Sequence, residues 1–327
     1  MKSIEAVEGS CLESLSRPEL RDVALALQRE GVTTAQCLAW LRSVTEVPES
    51  QEPINRLRAS LVQAGRLSEG GYELEQYLLL VAALDSLPRV SALPTGEDVH
   101  QLFGEAFTFL AQPDARSLQR FRCGSPDFGA MCRVATLRRF PAGQFEWERS
   151  GIPRSWLLKV DRRSLPRLLR VIALELGGFK PLLFPHFTAC GPRRIALRED
   201  AVKRAFHRMA VAMEMQPEVR GLLGAAFFLS PDALKINPQL SWFLPIFLEN
   251  GGFATTMGET ELGSRQLGAD PSLRAKYDRG EFRPRLGVVV WPRKAMLAWA
   301  ARHPELAIPA PPPAVKQVPA GVLGSGE

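Results

Sequence analysis

The sequence predicts an α/β fold, a mixed sheet layered with helices, preceded by an all-helical N-terminal domain. Three observations carry this. Apolar residues recur at helical spacing from about residue 18 to residue 110, whereas beyond Pro113 strand-like and helix-like segments alternate. Charge changes at the same place: residues 1–115 hold 9 basic and 17 acidic side chains (net −8), residues 116–170 hold 13 and 4 (net +9), and residues 171–327 hold 19 and 14 (net +5). The length, 327 residues with 46% hydrophobic and 23% charged, suits one large domain or two ordinary ones and excludes wholesale disorder and coiled-coil rods. The division that follows is a helical domain over 1–115, an α/β domain over 116–307 and a Pro/Gly-rich tail over 308–327, expected to be disordered because it holds no core material.

The helices come first. Pro18 suits a first helical turn, and Leu20, Val23, Ala24 and Leu27 continue an apolar stripe that Gly31 breaks. Thr33 or Thr34 caps a second helix with Cys37, Leu38, Leu41 and Val44 on one face, stopped by Pro48. Helices are expected over 52–65 and 72–86; the run from Tyr77 to Leu84 is apolar enough to be buried on most sides. A further helix, capped by Thr95 or Asp98, carries Phe103, Ala106, Phe107 and Leu110.

Residues 133–149 read as two strands joined at Pro141-Ala142-Gly143, with Phe145 and Trp147 alternating against Gln144, Glu146 and Glu148. The alternation then runs helix 164–176 closed by Gly177-Gly178, strand 180–189, helix 199–215, strand 219–230, helix 237–252, strand 252–259, polar helix 263–279, strand 285–293 and helix 294–303. On the 199–215 helix, Phe206, Met209, Ala210 and Met213 form the inner face.

Several function classes drop out. The N-terminus lacks an apolar signal core, and no apolar run reaches the roughly 18 residues that span a bilayer, so a cytoplasmic location without a membrane partner is expected. The 5 cysteines include no CxxC, and the 4 histidines show no HxH or HExxH, so reduced thiols and no metal centre are expected. GxGxxG, GxxxxGK[ST] and GxSxG are absent, which removes support for nucleotide-dependent oxidoreductases, P-loop enzymes and ordinary α/β hydrolases. Arginine outnumbers lysine 33 to 8, which reads as coding bias before recognition. The basic 116–170 stretch contains Phe121, Phe128, Phe140, Phe145, Trp147 and Trp156, a texture of single-stranded nucleic-acid surfaces. Those aromatics fall where a core needs them and no RNP, KH or zinc-finger signature accompanies them, so nucleic acid is not the expected partner.

Chemistry concentrates at residues 184–194, Phe-Pro-His-Phe-Thr-Ala-Cys-Gly-Pro-Arg-Arg, at the C-terminal end of a buried strand, where α/β sheets hold ligands. His186 supplies a general base, Thr188 a hydroxyl, Cys190 a thiol, and Arg193 and Arg194 an anion-holding pair. Glu214, between Met213 and Met215 at a helix end, is a second candidate base if apolar surroundings raise its pKa. Glu146 and Glu148 share one strand face; cross-strand partners such as Arg133 or Arg138 account for them.

The stretch GLLGAAFFLSP, DALKINPQ, LSWFLPIFLEN, GG, FATTMGE (221–259) resembles, in element order, the central portion of acyltransferases of the GNAT superfamily, and the strand at 285–293 continues that order. The resemblance implies a GNAT-like arrangement of the mixed sheet. It also implies acyl transfer to a small polar acceptor, with acyl-CoA as the donor and Leu229, Ser230 and Lys235 as the residues that would hold it. The segment that would cradle the pyrophosphate, Asp232–Pro238, contains no Gly and one Lys. Two other readings stand beside this one. The first is a non-enzymatic assembly protein, with a protein partner and no required cofactor, joining an acidic helical domain to a basic α/β domain. The second is a nucleic-acid binder using 116–170. The ligand crevice is expected near 186–190 and 229–231.

Overall fold

The structure, a computed structural model, describes residues 4–45, 48–112, 119–187, 197–236, 238–259, 271–283 and 285–307. The tail assigned to 308–327 lies outside the described residues, as do Thr188, Cys190, Arg193 and Arg194.

The first helices are α1 (Ile4–Leu15), α2 (Pro18–Arg29), α3 (Thr34–Ser43), α4 (Glu52–Gln63), α5 (Glu73–Val90) and α6 (Glu97–Leu110). α1 has no counterpart in the sequence reading, although Val7, Cys11 and Ser14 face inward at helical spacing. α2 begins at Pro18, and α3 opens on a capping box in which Thr33 and Gln36 each accept from the other's backbone N–H. α5 is buried on most sides and runs through Pro88 to Val90, past its expected end. Neither expected cap serves α6: Gly96 precedes it without a side-chain bond, and Asp98 instead pairs with Arg208 at 2.6 Å.

The expected strand at 133–139 is corrected. Ser125 caps a helix, α7 (Pro126–Ala135), by accepting from the Phe128 N–H at 3.0 Å, and Pro126 supplies its first turn. The chain then reverses through Leu137 at φ 59, and the N–H groups of Arg138 and Arg139 bond back to the Arg133 carbonyl. Only β1 (Phe140–Pro141) remains before β2 (Phe145–Ser150). The face expected to meet solvent on β2 is also buried at its start, with Glu146 fully covered.

The rest runs α8 (Leu165–Arg170) continued by a π-helical turn (Val171–Glu175), β3 (Leu182–Phe187), α9 (Glu199–Glu214), β4 (Gly221–Ala226), α10 (Pro231–Ile236), α11 (Phe243–Leu248), β5 (Phe253–Glu259), α12 (Pro271–Asp278), β6 (Arg285–Pro292) and α13 (Arg293–Ala301). Strand 219–230 is shorter than expected, because Phe227–Leu229 turns as 3₁₀ helix, and helix 237–252 shrinks to α11, which starts with Pro245 in its first turn. Of the polar helix at 263–279, only α12 falls within the described residues.

The sheet is mixed, in the order β1-β2-β3-β4-β6-β5. Every neighbouring pair is antiparallel except β3 and β4, which α9 connects as a crossover. That parallel pair holds one register contact, Leu183 opposite Leu222, whereas β4 and β6 stay paired from Gly221–Pro292 to Ala226–Gly287. Beyond Leu183 the two strands part. Both outer strands are guarded. β1 is two residues ending in Pro141, and β5 meets residues 159–161, where Asp161 N–H donates to Thr256 and Gly258 N–H to Lys159.

Alternation along the strands feeds two cores. Leu222, Val289 and Trp291 face α9, α11, α13 and the N-terminal helices, in one contiguous core running from Val7 to Trp299. Leu182, Leu223, Val288 and Val290 face a second layer formed by Ile152, Val160, Leu168, Val171, Ile172 and Leu176. Polar contacts also cross from the helical part to the sheet part: Arg138 Nη2 donates to the Leu41 and Val44 carbonyls at 2.9 and 2.7 Å, and Gln216 Nε2 to that of Pro94 at 3.1 Å.

Candidate active site

Where β3 and β4 part lies a cavity of about 420 Å³. Its walls are Phe184–Phe187 from β3 and Gly224–Leu229 from β4 and the turn after it. Phe145, Phe206, Phe243 and Phe247 close it on one side of the sheet, and Trp156 and Leu286 on the other. The phenyl rings pack on one another: Phe145 stacks on Phe206 with centroids 5.8 Å apart, and Phe243 meets Phe228 at 5.2 Å. The cavity touches the expected stretches 186–190 and 229–231 at His186, Phe187 and Leu229, residues 188–190 lying outside the described ones, and its lining is largely aromatic.

Gly287 makes this shape possible. A Cβ there would lie inside the backbone of Leu229 and Ser230, so only glycine lets the 227–229 turn rest on β6.

Among the described residues, His186 is the one titratable residue on the cavity wall. It stands opposite Glu146 in the β2–β3 ladder, and the strand period puts Glu146, Glu148 and His186 on one face. His186 Nε2 lies 3.1 Å from Glu148 Oε1. The other oxygen of Glu148 meets the Arg133 guanidinium from the end of α7, and Arg139 Nη2 at 3.8 Å. Arg139 Nη1 lies 3.7 Å from Glu146 Oε2; both of these side chains are essentially without exposed surface (1% and 0%). Two arginines thus balance two glutamates behind one histidine. Burial pushes the Glu148 carboxyl up, but the hydrogen bond and charge of His186 and the charges of Arg133 and Arg139 outweigh it and hold it below the ordinary carboxylate range. Nε2 is the ring nitrogen turned toward Glu148, so a neutral ring with its proton on that nitrogen would keep its lone pair on Nδ1.

The other candidates separate. Glu214 does not join the site: it is exposed at the C-terminal end of α9, and its carbonyl accepts from Arg293 Nη2 at 3.3 Å. Its neighbour Met213 is buried while Met215 stands 52% exposed, so the expected apolar clamp is one-sided. Leu229 lines the cavity. Ser230 is fully buried and caps α10, accepting from the Ala233 N–H at 3.2 Å. Lys235 falls in the last turn of α10, and its side chain lies outside the described residues. The segment read as a pyrophosphate loop is helical through Ile236, with the Asp232 carboxylate in its first turn. One first-turn N–H of this short helix is already taken by Ser230, and the Asp232 carboxylate opposes an anion there.

Of the partners named for the glutamates, Arg133 is confirmed, whereas Arg138 is committed to the carbonyls that end α3. Arg139 escaped the sequence reading because it reaches the site from the turn behind Leu137, which no spacing rule marks. Among the described residues no group of three His, Cys, Asp or Glu is placed to hold a metal ion, and no helix is long and apolar enough to cross a membrane. Comparison with protein families, curated proteins and solved structures found no match to this chain.

Proposed function

We propose that the protein transfers an apolar acyl group from a thioester to a small polar acceptor, with the acyl chain in the cleft between β3 and β4 and His186 as general base. The observation that carries this reading is the opening of one parallel strand pair into an aromatic-lined cavity whose described wall bears one histidine, turned toward a carboxylate. In the step envisaged, Nδ1 of His186 takes the proton as an amine or hydroxyl attacks the acyl carbonyl. The carbon–sulfur bond breaks, and the proton returns to the departing thiolate. Glu148 stabilises the imidazolium, and Arg133 and Arg139 keep Glu148 ionised. The element order that resembles GNAT acyltransferases supports the same reading. The reading rests on the acyl chain alone and assigns no residue to the carrier half of the donor.

The test incubates the full chain with acyl-CoAs of increasing chain length and a panel of amine and hydroxyl acceptors, following thiol release. Apolar medium-length chains are expected to raise the melting temperature, and His186→Gln to reduce turnover at least about a hundredfold with little change in melting temperature. Full turnover in His186→Gln removes the base assignment. Absence of both thermal shift and thiol release with every chain length removes the acyl-transfer reading.

A further inference from the structure

The layer covering the second face of the sheet concentrates exposed cations and exposed leucines in one short segment. Between residues 154 and 180 lie seven basic side chains (Arg154, Lys159, Arg162, Arg163, Arg167, Arg170 and Lys180) against two acidic ones, Asp161 and Glu175. All seven are exposed, and among the described residues none has a carboxylate within ion-pair distance. Elsewhere on the surface Arg42, Arg56, Arg89, Arg149, Arg274 and Arg279 are each paired, while Arg21, Arg29, Arg220 and Lys294 are exposed and, among the described residues, unpaired but scattered along the sequence.

Large apolar side chains stand among these cations. Leu158 is 90% exposed and Leu174 71%, the two most exposed large hydrophobic residues described, with Phe179 at 45% and Leu169 at 44%. The fold makes this one surface. Leu168, Val171 and Ile172 point into the second core, which turns Arg167, Leu169, Arg170 and Leu174 outward. The Arg154 guanidinium lies 5.6 Å from the Phe179 ring and joins the two ends of the segment.

We infer that this face is a peripheral docking surface for an anionic lipid bilayer, on which the protein lies without crossing it. Unpaired cations interleaved with protruding leucines match a headgroup layer, which offers phosphate charge outside and hydrocarbon just beneath. Charge complementarity alone would also suit nucleic acid, but three of the four protruding side chains are leucines, which do not stack on bases, and the one aromatic, Phe179, already has Arg154 against its ring. The 3₁₀ turn that carries Arg154 and Leu158 also carries Trp156 into the cavity wall, so docking brings that wall to the lipid surface. The inference does not depend on acyl transfer.

The full chain is to be sedimented with vesicles of phosphatidylcholine alone and with vesicles about one-third phosphatidylglycerol. Co-sedimentation is expected only with the anionic vesicles, weakening as salt rises. Replacing Arg162, Arg163 and Arg170 together by Ala is expected to weaken partitioning roughly a hundredfold, at about fivefold per charge. Leu158→Ser with Leu174→Ser is expected to weaken it too, at an unchanged melting temperature, since both side chains are exposed. Failure to sediment with either vesicle overturns the inference, as does equal binding to neutral vesicles or a leucine variant that binds like the parent. Tighter binding to a single-stranded oligonucleotide, indifferent to the leucine substitutions, overturns it in favour of a nucleic-acid face.

Discussion

At the scale of single residues, His186 and Glu148 behave as a unit, and their separate removal should read differently. Glu148→Gln keeps the shape but takes one negative charge from a mostly buried cluster holding two arginines. We expect a loss of about 3 kcal/mol, in the range for breaking a buried ion pair, seen as a lower denaturation midpoint. His186→Gln should cost far less stability because the carboxylate keeps both arginines. Glu148 has a depressed pKa in the fold, so its stabilisation is complete above the ordinary carboxylate value and is lost as pH falls through the lower folded value. His207, buried on α9, is likewise held below its ordinary value, chiefly by burial, against the pull of Asp98 and Glu305. Its contribution is present above the ordinary histidine value and fades as pH falls through the lower folded one. Melting temperature should therefore begin to fall below about pH 6.5 and fall again below about pH 4, and His207→Gln should flatten the first decline alone. The period of a strand made Glu146 and Glu148 readable as a pair, whereas Arg133, expected across from them on a strand, reaches Glu148 from the end of a helix. Glu214 was misread because sequence spacing does not say which way a helix end turns its last carboxylate.

At the scale of elements, most helices and strands were legible because their apolar periods were long and their ends carried Pro, Gly or Thr signals. The errors share one cause, a local signal answered by a non-local partner. Residues 133–139 look like a strand until Ser125-Pro126 starts α7 and Leu137 reverses the chain. Asp98 looks like a cap until Arg208 claims it. The C-terminus of α9 has a similar non-local answer: Arg293 Nη1 donates to the carbonyls of Met213, Gln216 (2.9 Å) and Val219 (3.1 Å). Arg293→Ala should cost about 1.5–3 kcal/mol, a lowering of melting temperature that Arg293→Lys only partly restores. Gly287→Ala should push the 227–229 turn off β6. The expected result is a destabilised protein that no longer shifts with the acyl chains that stabilise the parent.

At the scale of the molecule, charge segregation suggested two parts, and composition cannot report how such parts pack. The described structure runs one contiguous apolar core from α1 to α13 and adds hydrogen bonds from Arg138 and Gln216 across the 1–115/116–307 division. Unfolding should accordingly be a single transition, with far-UV circular dichroism and the fluorescence of the buried Trp147, Trp291 and Trp299 changing together. Two separated transitions would show that the halves melt independently.

The two guarded borders of the sheet have a consequence for how the protein behaves in a crowd. A bare border strand invites a second molecule to add its own, the first step toward fibrils and amorphous precipitate. Here one border is two residues long and ends in a proline, and the other is occupied by the chain's own residues 159–161. The backbone of β4 that lacks a β3 partner lies recessed between two strands, where a ligand fits and a neighbouring sheet does not. Among the described residues the open seam of the sheet faces inward, so concentration alone should not drive the protein into cross-β aggregates.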